Sequence, residues 1–225
     1  MFSFMKIFII IASFNVEKSI GGVIKELRSA GFDNLVVVDD ESSDNTFSIA
    51  RESGATVLRH IINRGQGAAL QTGNEYACAR GADFVIHFDG DGQMKSKDIP
   101  AMLEPLLKNR ADITLGSRYL GLESRIPFVK RYIYFPIGRL VNLIFTGLWL
   151  TDVHCGFRAM SREVAEKINI TQDRMAHSSE ILEKINIYKL RFKEVPVSIL
   201  YHNFGQGLLG INGAVRTVVD LIKAR

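Results

Sequence analysis

Two aspartates separated by a single glycine, in "HFDGDGQM" (residues 87–94), are where this sequence first suggests chemistry. They follow an apolar run, with Phe84, Val85, Ile86 and Phe88 reading as a buried strand, so Asp89 and Asp91 stand at or just past its end. Gathering two carboxylates is costly unless something cationic compensates. The pair is therefore either a solvated acidic turn or a site that waits for a metal. A second acidic pair, Asp39 and Asp40, follows three valines in "NLVVVDD" and ends another buried run.

The elements that must carry these acids follow from the pattern of apolar residues. Residues 6 to 12 read as a first strand, and Val16, Ile20, Val23, Ile24 and Leu27 recur at helical spacing up to Gly31. "NLVVVDD" is a second strand, continuously apolar as buried parallel strands are. Ser43 or Asp44 is placed to cap the next helix, through Arg51. "ATVLRH" is a third strand, a helix spans about Gln66 to Arg80, and "ADFVIHFD" is the fourth strand. A helix from about Lys97 to Leu107 carries Pro100 in its first turn, and "ADITLGS" is the fifth strand. Beyond it come a helix near His177 to Asn186, a strand "RFKEVPVSIL" and a C-terminal helix with Ile211, Val215, Val218 and Ile222 on one face. The alternation predicts an α/β fold with a mostly parallel, doubly wound sheet. Such sheets bind ligands beyond the carboxyl ends of their strands, where Asp39, Asp40, Asp89 and Asp91 would meet. No G-x-x-x-x-G-K-[ST] phosphate loop occurs, and no G-x-G-x-x-G follows the first strand.

A chain of 225 residues with 47% hydrophobic and 23% charged residues can bury a substantial core. Its two cysteines, Cys78 and Cys155, form no metal spacing and no disulfide framework, which fits a reducing, cytosolic setting. The apolar N-terminus has too short a core for a signal peptide, and Leu140 to Leu150 falls well short of the roughly 20 residues that span a bilayer. Between Arg118 and Arg139 stand Arg118, Arg125, Lys130, Arg131 and Arg139 against Glu123, a surplus equal to the net +4 of the whole chain. Phe128, Tyr132, Ile133, Tyr134, Phe135 and Ile137 lie among these charges, and residues 126–149 read as two short helices lying on a surface. Such a stretch suits an anionic membrane or a phosphorylated lipid. No nucleic-acid recognition motif is present.

"IASFN", "VVDDESSDNT", "NRGQGAALQTG", "DGDGQ", "GSRY" and "DVHCGFR" occur in collinear order over about residues 5 to 205. Together they resemble the family 2 glycosyltransferases of GT-A fold, and within them the dolichyl-phosphate mannose synthases and bacterial polyprenyl-phosphate enzymes. The resemblance implies a single GT-A domain over 1–225, with a nucleotide-binding half of about 1–117 and an acceptor- and membrane-facing half of about 118–225. It implies inverting transfer of a hexose from a GDP- or UDP-sugar to a polyprenyl phosphate, at the cytoplasmic face of a membrane to which the enzyme docks peripherally. A small membrane-spanning protein is a candidate partner.

The same resemblance nominates residues. Mg²⁺ or Mn²⁺ would be held by Asp89, Asp91 and Gln93 and would neutralise the departing diphosphate. Ala12, Phe14, Glu17, Asp39, Asp40, Gly67, Ala68, Asp89 and Gly90 would bind the donor. Gly65 and Gly67 would let the backbone approach the nucleotide. Arg118, Arg131, Arg139 and His202 would hold the acceptor phosphate, since arginine makes bidentate and permanently charged contacts there. Asp91, Arg118, Asp152 and Glu180 are the catalytic nominees, with Asp152 and Arg158 as a buried pair shaping the acceptor pocket.

The sequence departs from the family in two places. Val16 stands where the family has glutamate, with Glu17 next door. In "VPVSILYHNFGQGLLG", His202, Gly207 and Leu208 replace an arginine, a serine and a lysine, so two expected cations are missing and His202 supplies only a pH-dependent charge. Two other readings stay open: a transferase acting on a saccharide hydroxyl, which needs a general base with Asp152 or Glu180 as candidates, and a non-catalytic subunit of the same fold.

Overall fold

The first strand, β1 (Ile7–Ser13), separates the molecule into layers by its period-two alternation. Ile7, Ile9 and Ile11 pack into one core with Ile20, Val23, Ile24 and Leu27 of α1 (Ile20–Ser29) and with Ile99, Met102 and Leu103 of α4 (Ile99–Leu107). Phe8 and Ile10 point to the opposite core, built with Ala69, Leu70 and Ala77 of α3 (Gln66–Ala79). The structure, a computed structural model, describes residues 5–120, 143–144, 146–153 and 155–199.

The remaining elements are β2 (Asn34–Asp39), α2 (Thr46–Glu52), β3 (Thr56–Arg59), β4 (Phe84–Asp89), a 3₁₀ turn (Ser96–Asp98) that leads into α4, and β5 (Ile113–Ser117). After them come β6 (Arg158–Ser161), α5 (Arg162–Ile168), α6 (His177–Ile187) and β7 (Phe192–Pro196). The described strands form one seven-stranded sheet in the order β3-β2-β1-β4-β6-β5-β7. β1 pairs parallel with both β2 and β4, so the chain order reverses around it. Ala12 is level with Asp89, and Ser13 with Asp39, which sets the two acidic strand ends on either side of the end of β1.

The expected elements within the described residues are present, although α1 begins only at Ile20 and β7 stops at Pro196, and two are added, β6 and α5. "RAMS" forms β6, antiparallel to both β4 and β5. Nothing in the sequence marks this strand, because the segment is four residues long and opens on an arginine. The consequence is positional. An antiparallel strand begins at the edge where its parallel neighbours end, so residues 152–157 arrive beside Asp89. The cap of α2 also differs: Asn45 holds the N-cap position without a side-chain bond, and Asp44 Oδ1 accepts the Thr46 N–H at 3.0 Å. The expected C-terminal helix and most of the 126–149 stretch lie outside the described residues.

Small residues let α3 lie close on the sheet. A Cβ at Gly73 would stand 2.1 Å from Ile10 Cγ2, whereas one at Gly22 in α1 would meet nothing within 4 Å. The same substitution should therefore act with opposite sign at the two sites. Gly73→Ala should destabilise by roughly 1–2 kcal/mol, overpacking outweighing the helix gain. Gly22→Ala should stabilise by about 0.5–1 kcal/mol. Urea denaturation of both variants checks this, and equal effects would contradict the packing described.

Candidate active site

Asp89 closes β4 and Asp91 stands exposed in the turn beyond it, where Asp91 Oδ1 accepts the Gln93 N–H at 2.9 Å. Gln66 Nε2, from the first residue of α3, donates to Asp89 Oδ1 at 3.0 Å. Burial and then the neighbouring Asp91 charge raise Asp89 to about 6, against the pull of Arg158, the Gln66 hydrogen bond and Arg118. A carboxylate strained this way is relieved by a cation. The donors expected from the sequence, Asp89, Asp91 and Gln93, are two carboxylates and an amide oxygen, all hard. That matches Mg²⁺ or Mn²⁺, which take one or two protein carboxylates and leave positions for water and phosphate oxygens. The residues present fit the ion.

Asp39 and Asp40 are both used by loops. Asp39 Oδ1 accepts from Ser42 N at 3.2 Å. Its Oδ2 lies 3.1 Å from Arg59 Nε as an ion pair, off line for a hydrogen bond, and keeps none. Asp40 is fully committed to the loop before α3: Oδ1 meets His60 Nδ1 at 2.7 Å and Arg64 N at 3.0 Å, and Oδ2 meets Gly65 N at 2.6 Å. Glu17 turns to the α2 loop, where Oε2 accepts from Asn45 N and Nδ2, both at 3.1 Å. Phe14 is half-exposed rather than core, Ala12 is half-buried, and Gly90 is buried with its carbonyl accepting from Ser19 Oγ at 2.7 Å.

The glycines before and in α3 serve a packing contact that the sequence did not reveal. Gly65 has φ +98°, and a Cβ on it would stand 2.9 Å from Arg174 Cα and from the Asp173 carbonyl. A Cβ on Gly67 would stand 1.9 Å from the Gln172 carbonyl, and the Ala68 N–H donates to the Asp173 carbonyl at 3.1 Å. The backbone packed against Gly67 and Ala68 is this chain's own 172–174 segment.

On the acceptor side two expectations are corrected. Asp152 pairs with Arg118, not Arg158: Oδ2 is 2.6 Å from Arg118 Nε and Oδ1 is 2.8 Å from Nη2, a bidentate clamp that also takes the Arg118 N–H at 3.1 Å. Arg158, 1% exposed, starts β6 opposite His87, with Nε and Nη1 making no hydrogen bond. Glu180 is not poised as a base. It accepts from Thr171 N at 2.9 Å, Thr171 Oγ1 at 2.6 Å, Gln172 N at 2.8 Å and Lys184 Nζ at 2.7 Å. Burial works to raise its carboxyl, but these hydrogen bonds hold it below its ordinary value.

Three residues that matter here were missed or undervalued in the sequence: Gln66, Gly156 and Glu194. Glu194 on β7 accepts from Thr151 N, Thr151 Oγ1 and Asp152 N at 2.8, 2.6 and 3.2 Å, and so fixes the segment that carries Asp152. Cys155 is packed as expected, its thiol pushed to about 12 by burial and then by Asp152. Arg131, Arg139 and His202 lie outside the described residues.

Residues 8–169 match the family model described as glycosyl transferase family 2. The chain belongs to that family. It is a glycosyltransferase of GT-A fold, and its relatives agree. It is 38% identical to an uncharacterized protein of Methanocaldococcus jannaschii, over 88% of this chain and 83% of that one. It is 28% identical to the UDP-N-acetylglucosamine–dolichyl-phosphate N-acetylglucosaminyltransferase of Methanococcus voltae, over 88% of this chain and 87% of that one. It is 27% identical to the undecaprenyl-phosphate mannosyltransferase of Micrococcus luteus, over 97% and 93%. Among solved structures it resembles glucosyl-3-phosphoglycerate synthase of Mycobacterium tuberculosis, in complex with Mn²⁺, UDP and glucosyl-3-phosphoglycerate. There the TM-score is 0.73 at 19% identity, covering 99% of this chain and 80% of that one.

His177 gives this glycosyltransferase a measurable pH signature. It is buried, and burial followed by the Arg158 charge lowers it to about 4, against its hydrogen bond to the Arg174 carbonyl. An unfolded histidine protonates near 6.5. Between those values the unfolded chain binds more protons, so this contribution is present above about 6.5 and is lost as pH falls toward 4. His87, lowered well below the ordinary value by burial, Arg158 and His177, acts in the same direction. The stability difference between wild type and His177→Gln should shrink across that window by on the order of 3 kcal/mol. Urea titrations at stepped pH read this, and a pH-independent difference would show that His177 is not held neutral.

Proposed function

We propose that this chain transfers a hexose from a GDP- or UDP-sugar to a polyprenyl phosphate, by metal-dependent inverting displacement at the cytoplasmic face of a membrane. The observation that carries the reading is what has become of the acids on the acceptor side. A hydroxyl acceptor needs a general base, and the two nominees are both engaged. Asp152 is clamped on Arg118, and Glu180 is held ionised by four donors in a loop anchor. A phosphate monoester, with a second pKa near 6, is already largely dianionic at neutral pH. It needs positioning, which an oriented arginine gives, and charge, which the basic stretch up to Arg139 supplies. The Methanococcus voltae and Micrococcus luteus relatives are named for dolichyl- and undecaprenyl-phosphate acceptors.

In this reading Asp89, Asp91 and Gln93 hold Mg²⁺ or Mn²⁺, which when bound offsets the charge left on the nucleoside diphosphate. Asp39, whose Oδ2 keeps no hydrogen bond, meets the donor ribose, and Phe14, exposed one residue past Ser13, which is level with Asp39, flanks the base. Arg118, oriented by Asp152 and backed by Glu194, presents its guanidinium to the acceptor phosphate, joined by Arg131, Arg139 and His202. The phosphate oxygen attacks the anomeric carbon in line as the diphosphate leaves, without a covalent enzyme intermediate. Among the described residues no helix is long and apolar enough to cross a membrane. Ile144 and Trp149 are 71% and 58% exposed, apolar surface of the kind that seats on lipid.

A panel of GDP- and UDP-hexoses with polyprenyl phosphate and Mn²⁺ tests the reading through lipid-linked radioactivity. The phosphate should accept sugar and the matching polyprenyl alcohol should be inert. The rate should fall as pH drops through about 6, the acceptor's own second pKa, and His202→Gln should keep that limb. Should the alcohol or a free sugar accept better, the saccharide-transferase reading takes its place. Asp91→Asn should abolish transfer while the protein stays folded; normal turnover at saturating metal would remove the metal from the mechanism. Asp152→Asn should raise KM for the acceptor roughly 10-fold with little change for the donor. A loss confined to donor KM would assign Arg118 and Asp152 to the other substrate.

A further inference from the structure

We infer that Gln66 is the positioning residue of the metal site: its side-chain amide fixes the Asp89 carboxylate in the orientation that the cation meets. The inference rests on the metal-dependent reading above and goes beyond it by assigning a residue that does not itself touch the ion.

Asp89 has reason to move. Asp91, two residues on, repels it. The glycine at 156 leaves its carboxylate room, since a Cβ there would stand 3.1 Å from Asp89 Oδ2 and 3.4 Å from Oδ1. The one hydrogen bond that the described residues make to the carboxylate is from Gln66 Nε2 to Oδ1, at 3.0 Å. With Oδ1 so occupied, Oδ2 is the oxygen without a protein hydrogen bond. The donor is also of the right kind. A neutral amide steadies an ionised carboxylate without adding a further positive charge to those of Arg158 and Arg118, which already act on Asp89.

Gln66 is itself held from several directions. It opens α3 at a point where Gly65 N and Arg64 N both donate to Asp40, at 2.6 and 3.0 Å. One residue later, Gly67 lies against the 172–174 backbone so closely that no side chain would fit. A side chain projecting from so fixed a helix start can set the rotamer of its partner, and partners of metal ligands commonly carry a large share of metal affinity.

Mn²⁺ binding to the intact protein, followed by electron paramagnetic resonance without donor or acceptor, tests this. Gln66→Met keeps the side-chain length and removes the donor; Gln66→Ala, a second variant, asks nothing of the packing. Both should bind Mn²⁺ roughly 10-fold more weakly. The apparent KM for Mn²⁺ should rise in parallel, while kcat at saturating Mn²⁺ stays within about twofold and thermal stability is unchanged. Folded variants that bind Mn²⁺ as the wild type does would overturn the inference. So would a fall in kcat at every Mn²⁺ concentration with unaltered affinity. The metal reading is judged separately: the wild type must bind Mn²⁺ and Asp91→Asn must lose it, whatever Gln66 does. If the wild type binds none, both fall together.

Discussion

A carboxylate at the end of a buried strand, with a second one two residues away, is the constraint around which this molecule is arranged. Asp89 is half-buried, and burial and then the Asp91 charge raise it to about 6. The fold answers from three elements. From α3 comes a neutral donor, Gln66. From β6 comes a buried cation, Arg158, which adds attraction without a hydrogen bond from its Nε or Nη1. From the segment before β6 comes space, at Gly156. Two of these depend on one antiparallel strand lying between β4 and β5. Without it, residues 152–158 would not reach the edge where the parallel strands end.

The other acids of that edge act on backbone amides. Loops at strand ends expose N–H groups that the sheet does not use, and buried donors must find acceptors. Asp40 takes them from Arg64 and Gly65, Glu180 from Thr171 and Gln172, Glu194 from Thr151 and Asp152. The first two converge. Asp40 holds the loop that opens α3, and Glu180 holds the loop whose continuation, 172–174, packs on Gly65 and Gly67. Acids engaged by backbone amides thereby fix the helix start from which Gln66 reaches Asp89. On the other side Glu194 fixes the chain that carries Asp152, and Asp152 orients Arg118.

The layers and the acidic edge were legible because they rest on periodicity. "IFIII", "NLVVVD" and "FVIHFD" announce buried parallel strands, and acids at their ends fall on the ligand side of any such sheet. β6 was not legible: four residues beginning with arginine carry no strand period, and its pairing comes from two partners far away in sequence. Side-chain partnerships were not legible either. Asp152 is six residues from Arg158 but bonds Arg118, 34 positions earlier in the chain. The same reason hid the role of Gly67. A glycine beside a predicted ligand edge suggests close approach, and only the fold shows that what approaches is Gln172.

The acceptor side poses an electrostatic question that its geometry partly answers. Arg118 clamped to Asp152 is close to neutral as a pair, so it offers an incoming phosphate dianion direction more than net attraction. The paired carboxylate holds the guanidinium plane at one angle and lowers the entropy lost when a phosphate binds it. The net positive charge must then come from elsewhere. The sequence supplies it from Arg118 onward, where the surplus of the whole chain is concentrated up to Arg139 among aromatic and aliphatic residues. A phosphate on a long apolar chain is the substrate that such a division suits. On the proposed reading the basic and apolar stretch would draw in the headgroup and its hydrocarbon, and the clamped arginine would turn that attraction into a single orientation toward the sugar.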